Sequence, residues 1–199
     1  AHAGTLTATG SASLTMADAD TEGTTVSGNQ FTMGDSITLT GSGEMDNGMT
    51  ISVSFEIDND DVGGGNVYDS HSMTLDTNGM GTITFAGHGG SSAMSALDDT
   101  TPNAYEESWD AVTGADIGTR VNGSSGDNMF TYTSPTVSGA TVTMAYLNAS
   151  DTITDVSYSD FAIAYSPEMV EGLTLGYGQG DTEETTGTEL DDTAMYVKY

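Results

Sequence analysis

The side chains able to do chemistry are concentrated in one connection, Ser91 to Asp127, longer than any other between the alternating segments of the chain. It holds seven acids, Asp98, Asp99, Glu106, Glu107, Asp110, Asp116 and Asp127, against a single base, Arg120. It also carries Pro102 and the only tryptophan, Trp109. Carboxylates at this density attract cations and repel anions. Connections of this length without periodicity of their own are functional or disordered. Hard oxygen ligands also suit calcium. Asp98-Asp99 is one place for it, and Asp58-Asn59-Asp60-Asp61, just before Gly63-Gly64-Gly65, is another. Neither shows the spaced ligands of a dedicated site, so calcium is expected at most as a structural ion in a loop.

Catalytic chemistry finds little footing. The histidines are His2, His71 and His88. A histidine beside acids can transfer protons, but no motif singles out a nucleophile or an activated water, and no enzyme activity is expected. The chain has no cysteine, which removes disulfides, thiolate metal sites and thiol nucleophiles. Acids outnumber bases 30 to 2, for a formal charge of -28. Phosphate backbones demand Lys and Arg, so nucleic acid is excluded as a partner.

The elements that must position the acidic connection alternate with a period of two, the mark of strands. Leu6, Ala8, Gly10, Ala12, Leu14 and Met16 share one face, and Thr5, Thr7, Thr9, Ser11, Ser13 and Thr15 the other. An acidic loop from Ala17 to Asn29 follows. Phe31, Met33, Ile37 and Leu39 then oppose Thr32, Ser36, Thr38 and Thr40, with Asp35 on the apolar side. Asn47-Gly48 and Asn78-Gly79 are tight-turn signals. Further alternating segments surround Ile51 to Asp58, Ser72 to Leu75, Thr82 to Phe85, Met129 to Thr133, Val142 to Tyr146, Phe161 to Tyr165, Leu173 to Tyr177 and Ala194 to Tyr199. The result is about ten antiparallel strands, with short turns at one end and longer acidic loops at the other, the signature of a transmembrane barrel. No apolar run reaches the roughly 18 residues of a transmembrane helix.

The polar face separates barrel from sandwich. The outer face of a soluble sandwich carries many charges, Lys among them. Here that face is Thr, Ser and Gly, which suits a water-filled lumen. Tyr146, Tyr165, Tyr177 and Tyr199 fall near strand ends on the apolar face, as an aromatic girdle requires. The expected fold is therefore all-β, an antiparallel up-and-down transmembrane β-barrel forming one domain over residues 1–199. The long loop after the fifth strand, residues 91–127, folds inward as an acidic constriction. The alternative is an acidic β-sandwich, secreted or surface-displayed, with an adhesive or structural role.

Several stretches resemble the trimeric general porins of the Gram-negative outer membrane. Gly43-Glu44-Met45-Asp46-Asn47-Gly48-Met49-Thr50 is similar to the family's first periplasmic turn. Gly81-Thr82-Ile83-Thr84-Phe85-Ala86-Gly87 resembles the strand entering its constriction loop, and Tyr132-Thr133-Ser134-Pro135-Thr136-Val137-Ser138-Gly139 its Tyr-x-Ser-Pro-x-x-x-Gly turn. Tyr165-Ser166-Pro167 with Gly172 is similar. The resemblance implies a homotrimer in outer-membrane lipid that passes small hydrophilic solutes. It places Asp98, Asp99, Glu106, Glu107, Asp110, Asp116 and Arg120 at the pore constriction, with no cofactor. Family barrels have roughly sixteen strands, so the chain is expected to be the N-terminal part of a longer barrel. Ala1-His2-Ala3 has the small-x-small pattern that ends a secretory signal peptide. The family sets Arg and Lys opposite its acidic loop; here only Arg120 and Lys198 are available, and unless further strands supply bases the pore is expected to prefer cations.

Overall fold

The computed structural model describes residues 4–19, 28–58, 68–98, 125–148, 157–183 and 189–199. The strands are β1 (Thr5–Ala19), β2 (Gly28–Glu44), β3 (Thr50–Asp58), β4 (Ser70–Asp76), β5 (Thr82–His88) and the two-residue β6 (Gly90–Ser91). A single helical turn, α1 (Ser95–Asp98), follows. Then come β7 (Ser125–Gly126), β8 (Met129–Thr133), β9 (Ala140–Leu147), β10 (Ser157–Tyr165), β11 (Thr174–Glu183) and β12 (Glu189–Lys198). Ten of the strands form one antiparallel sheet in chain order, β1-β2-β3-β4-β5-β8-β9-β10-β11-β12. Each pairs with its sequence neighbour, as in an up-and-down barrel wall, and β1 and β12 are the sheet's two ends.

Local chemistry fixes the register. Gly48 closes the β2–β3 turn at φ 81°, where a side chain would be strained. Asn78 and Gly79 take φ 58° and 109° between β4 and β5, and the Asn78 amide donates to Asp76 Oδ1 at 2.9 Å. Across the sheet, Leu39 lies opposite Phe55, Val53 opposite Met73, Leu75 opposite Ile83 and Ile163 opposite Tyr177. The apolar residues thus share one face and the hydroxyl residues the other. On the hydroxyl face, Ser11 meets Ser36 and Thr74 meets Thr84, both at 3.0 Å between hydroxyl oxygens.

Three details differ from the sequence reading. The β1–β2 ladder runs to Ala19 opposite Gly28, into residues read as loop from Ala17 to Asn29. A ladder needs only main-chain groups, so it outlasts the side-chain alternation. Asp35 lies opposite Ala12, one residue past the last β2–β3 pair, Ser36 opposite Asp58. It therefore lies where β3 stops pairing and β2 continues with β1 alone, and Met33 and Phe31 carry the exposed apolar row on beyond it. Finally, the long connection is not wholly irregular, since β6, α1 and β7 lie within it or at its ends.

The burial pattern is inverted relative to a soluble domain. Leu6, Leu14, Met33, Ile37, Met73, Phe130, Met144 and Ile163 are exposed on the apolar face. Among the described residues, the buried hydrophobic ones are Ala86, Ala93, Met94, Leu97, Met129, Ala145, Tyr158 and Ala162. Those on strands sit on the face opposite the apolar rows. The packed core therefore lies between the wall and the start of the long connection.

Candidate functional site

The entry to the long connection is built by a change of direction. β5 ends at His88, Gly89 turns the chain at φ 68°, and β6 pairs with β7, Gly90 opposite Gly126 and Ser91 opposite Ser125. This two-residue clasp joins the two ends of the connection. Beneath it, His88 Nδ1 lies 2.6 Å from Asp127 Oδ1. The chain then passes onto the hydroxyl face. Ser92, Ala93, Met94 and Leu97 are buried there. The Leu97 amide donates to the Met94 carbonyl at 2.9 Å and that of Ala96 to the Ala93 carbonyl at 3.3 Å. These bonds hold the single turn, too short to be stable alone.

The wall has a recess to receive it. On β11, Gly176, Gly178 and Gly180 face inward and are buried. A Cβ on Gly178 would stand 2.6 Å from Met94 Sδ and 2.7 Å from Leu97 Cδ1. One on Gly180 would stand 2.6 Å from the Tyr158 hydroxyl, and one on Gly176 would strike the Tyr196 ring. Ala93, Met94 and Leu97 pack with Ala162, and Ala194 and Tyr196 flank them. A second cluster, Met129, Ala145 and Tyr158 with Leu147, supports the floor from β8, β9 and β10. Missing side chains on the wall thus make room for side chains of the loop.

One charged group lies in this contact. Asp160, on β10, is 7% exposed. Its Oδ1 accepts from the Ala93 amide at 3.2 Å and the Ala145 amide at 3.1 Å. Its Oδ2 accepts from the Met94 amide at 2.7 Å and the Tyr158 hydroxyl at 3.0 Å. A buried carboxylate is costly unless its lone pairs are used. Here each oxygen takes one donor from the loop and one from the wall. Hydrogen bonds to ionised acceptors are about twice as strong as neutral ones.

Asp98 ends α1, and its side chain lies outside the described residues, as do Asp99, Glu106, Glu107, Asp110, Asp116 and Arg120 entirely. Asp127 is at the base of the loop with His88. Of the calcium candidates, residues 59–61 and 99 also lie outside the described residues. Among the described residues, no group of three or more His, Asp or Glu could hold a metal ion. Sequence reasoning missed Asp160, Tyr158 and the inward glycines of β11. Their signal was a break in the hydroxyl rows. Tyr158-x-Asp160-x-Ala162 and Gly176-x-Gly178-x-Gly180 replace Thr and Ser on that face.

Aromatic rings gather at both ends of the apolar face. Tyr68, Phe55, His71 and His88 form a chain of rings with centroids 5.9 to 6.5 Å apart through His71, at the long-loop end with Tyr146. Tyr132 and Tyr165 lie at the short-turn end, where the Tyr132 hydroxyl donates to the Met80 carbonyl at 2.8 Å. Tyr177 stands one row further in, opposite Ile163 and Met195.

The family model for Gram-negative porins matches residues 1–199. No curated protein matches the chain.

Proposed function

The chain belongs to the Gram-negative porin family, and on that premise we propose a passive diffusion channel for small hydrophilic solutes that prefers cations. The observation that carries this reading is the inverted burial. Large apolar side chains stand exposed on one face, Leu6 at 75% and Met73 at 46%, while the start of the long connection packs on the other. An exposed apolar face of this extent needs an apolar medium, and a hydroxyl-lined face suits water. Strand length supports the same picture. The strand β3 runs nine residues from Thr50 to Asp58, or about 30 Å at roughly 3.3 Å per residue. Tilted by about 40°, that spans about 23 Å, close to the roughly 25 Å apolar band of outer-membrane barrels.

In this reading the connection from Ser91 to Asp127 narrows the lumen, and its acids, Asp98, Asp99, Glu106, Glu107, Asp110 and Asp116 beside Arg120, set the field. Carboxylates around a constriction favour cation entry. The channel is a homotrimer and reaches the outer membrane by way of a secretory signal peptide. The test is planar-bilayer conductance under a salt gradient. Conductance steps in threes and a cation-selective reversal potential are expected. Neutralising Asp98, Asp99, Glu106 and Glu107 together moves the reversal potential toward zero. An unchanged potential in that variant removes these acids from the mechanism.

A further inference from the structure

We propose that Asp160 is the positioning residue that holds the inward segment Ser92–Leu97 against the wall, and that it does so through the segment's main chain. The channel consequence of this rests on the reading above; the latch itself does not. Three observations carry it. Both carboxylate oxygens are shared between loop and wall, Oδ1 by Ala93 and Ala145 and Oδ2 by Met94 and Tyr158. The donors from the loop are consecutive main-chain amides, ahead of α1, where a turn leaves its first N–H groups without internal partners. The surroundings are sized for the contact, since Gly178 and Ala162 leave the space that Met94 and Leu97 fill.

The main-chain character has a consequence. A carboxylate that binds amides reads the shape of the segment and not its side chains. Placement of the loop's start is then encoded on β10 and β11, outside the loop. Four donors fix where the Asp160 carboxylate sits, so its role in placing the segment is separate from any contribution its charge makes to the field.

The chain has no cysteine, so a single Ala93→Cys gives a unique reporter at a site that is 1% exposed. Its reaction with a small thiol reagent reports opening of the segment, because a buried site is modified only from open states. In the detergent-solubilised full chain the reporter is protected. Asp160→Asn keeps the volume but turns an N–H group toward two of the donors. In that variant the labelling rate rises roughly tenfold or more, as expected for a shifted local opening equilibrium. A folded Asp160→Asn protein whose reporter stays protected overturns the proposal and leaves apolar packing as the anchor. Should that variant not fold, Asp160→Ala removes both acceptor oxygens without turning an N–H group toward the donors, and leaves the packed side chains of Met94 and Leu97 in place. It carries the same two outcomes. Labelling requires no conductance, so failure of the latch and failure of the channel reading are seen separately.

Discussion

The two halves of the wall share one architecture and use it differently. From β1 to β4 the inward rows are Thr and Ser, as at Thr7, Thr9, Ser52, Ser54 and Thr74. No hydrophobic side chain is fully buried there among the described residues. From β8 to β12 the same rows carry Ala145, Asp160, Ala162, Gly178 and Gly180, and the packed contacts lie over them. Strand pairing and outward apolar rows are the same in kind. The difference is side-chain size. Where the row is small, another segment can dock; where it is hydroxylated, the face is left to line an open space.

Removing a docked side chain is the strongest way to break this contrast. Met94→Ala, at a fully buried position, is expected to cost about 2–5 kcal/mol of docking through lost burial and a residual cavity. Met33→Ala, 63% exposed on β2, is expected to change stability in detergent by no more than about 0.5 kcal/mol. Urea midpoints of the two variants, with protease cleavage of the long connection as a second readout, test the pair. Similar losses at both sites would erase the distinction between docking wall and lining wall.

Filling the recess is the next largest effect. A side chain at position 178 meets Met94 Sδ at 2.6 Å and the Phe161 carbonyl oxygen at 2.9 Å. Gly178→Leu is therefore expected to cost about 1–3 kcal/mol by overpacking and to open the connection to protease. A Cβ at Gly43 meets nothing within 4 Å, so Gly43→Ala serves as the tolerant control. The smallest effect lies at the base of the loop. Asp127 is 53% exposed, and Asp127→Asn should cost only about 0.2–1 kcal/mol, as solvent screens the pair with His88. A thermal shift larger than that of Gly178→Leu would move the anchor from the recess to the base.

The wall was readable from sequence because period-two alternation states which face each residue occupies without any knowledge of its partners. Leu6 to Met16 and Ile51 to Ile57 show it directly, and Asn47-Gly48 and Asn78-Gly79 supply the turns. The docking site was not readable, because its meaning depends on register. Asp160 in isolation is one more acid in an acidic chain. It becomes an anchor only when β9 brings Ala145 opposite and β11 brings Gly180 alongside. The end of β1 was missed for a related reason, since Ala17 to Ala19 pair through main-chain groups that every residue carries. The acids from Asp99 to Asp116 offered composition without placement.

The clasp of Gly90–Gly126 and Ser91–Ser125 has a consequence for how the family can vary. It fixes the two ends of residues 92 to 124 side by side, so the wall senses where that insert leaves and returns, and little else. Lengthening a closed flexible segment costs only about 0.6 kcal/mol for each doubling. Beyond the docked Ser92–Leu97, length and charge can therefore be exchanged at almost constant barrel stability. The wall behaves as a socket, and the remainder of the connection as a replaceable cartridge.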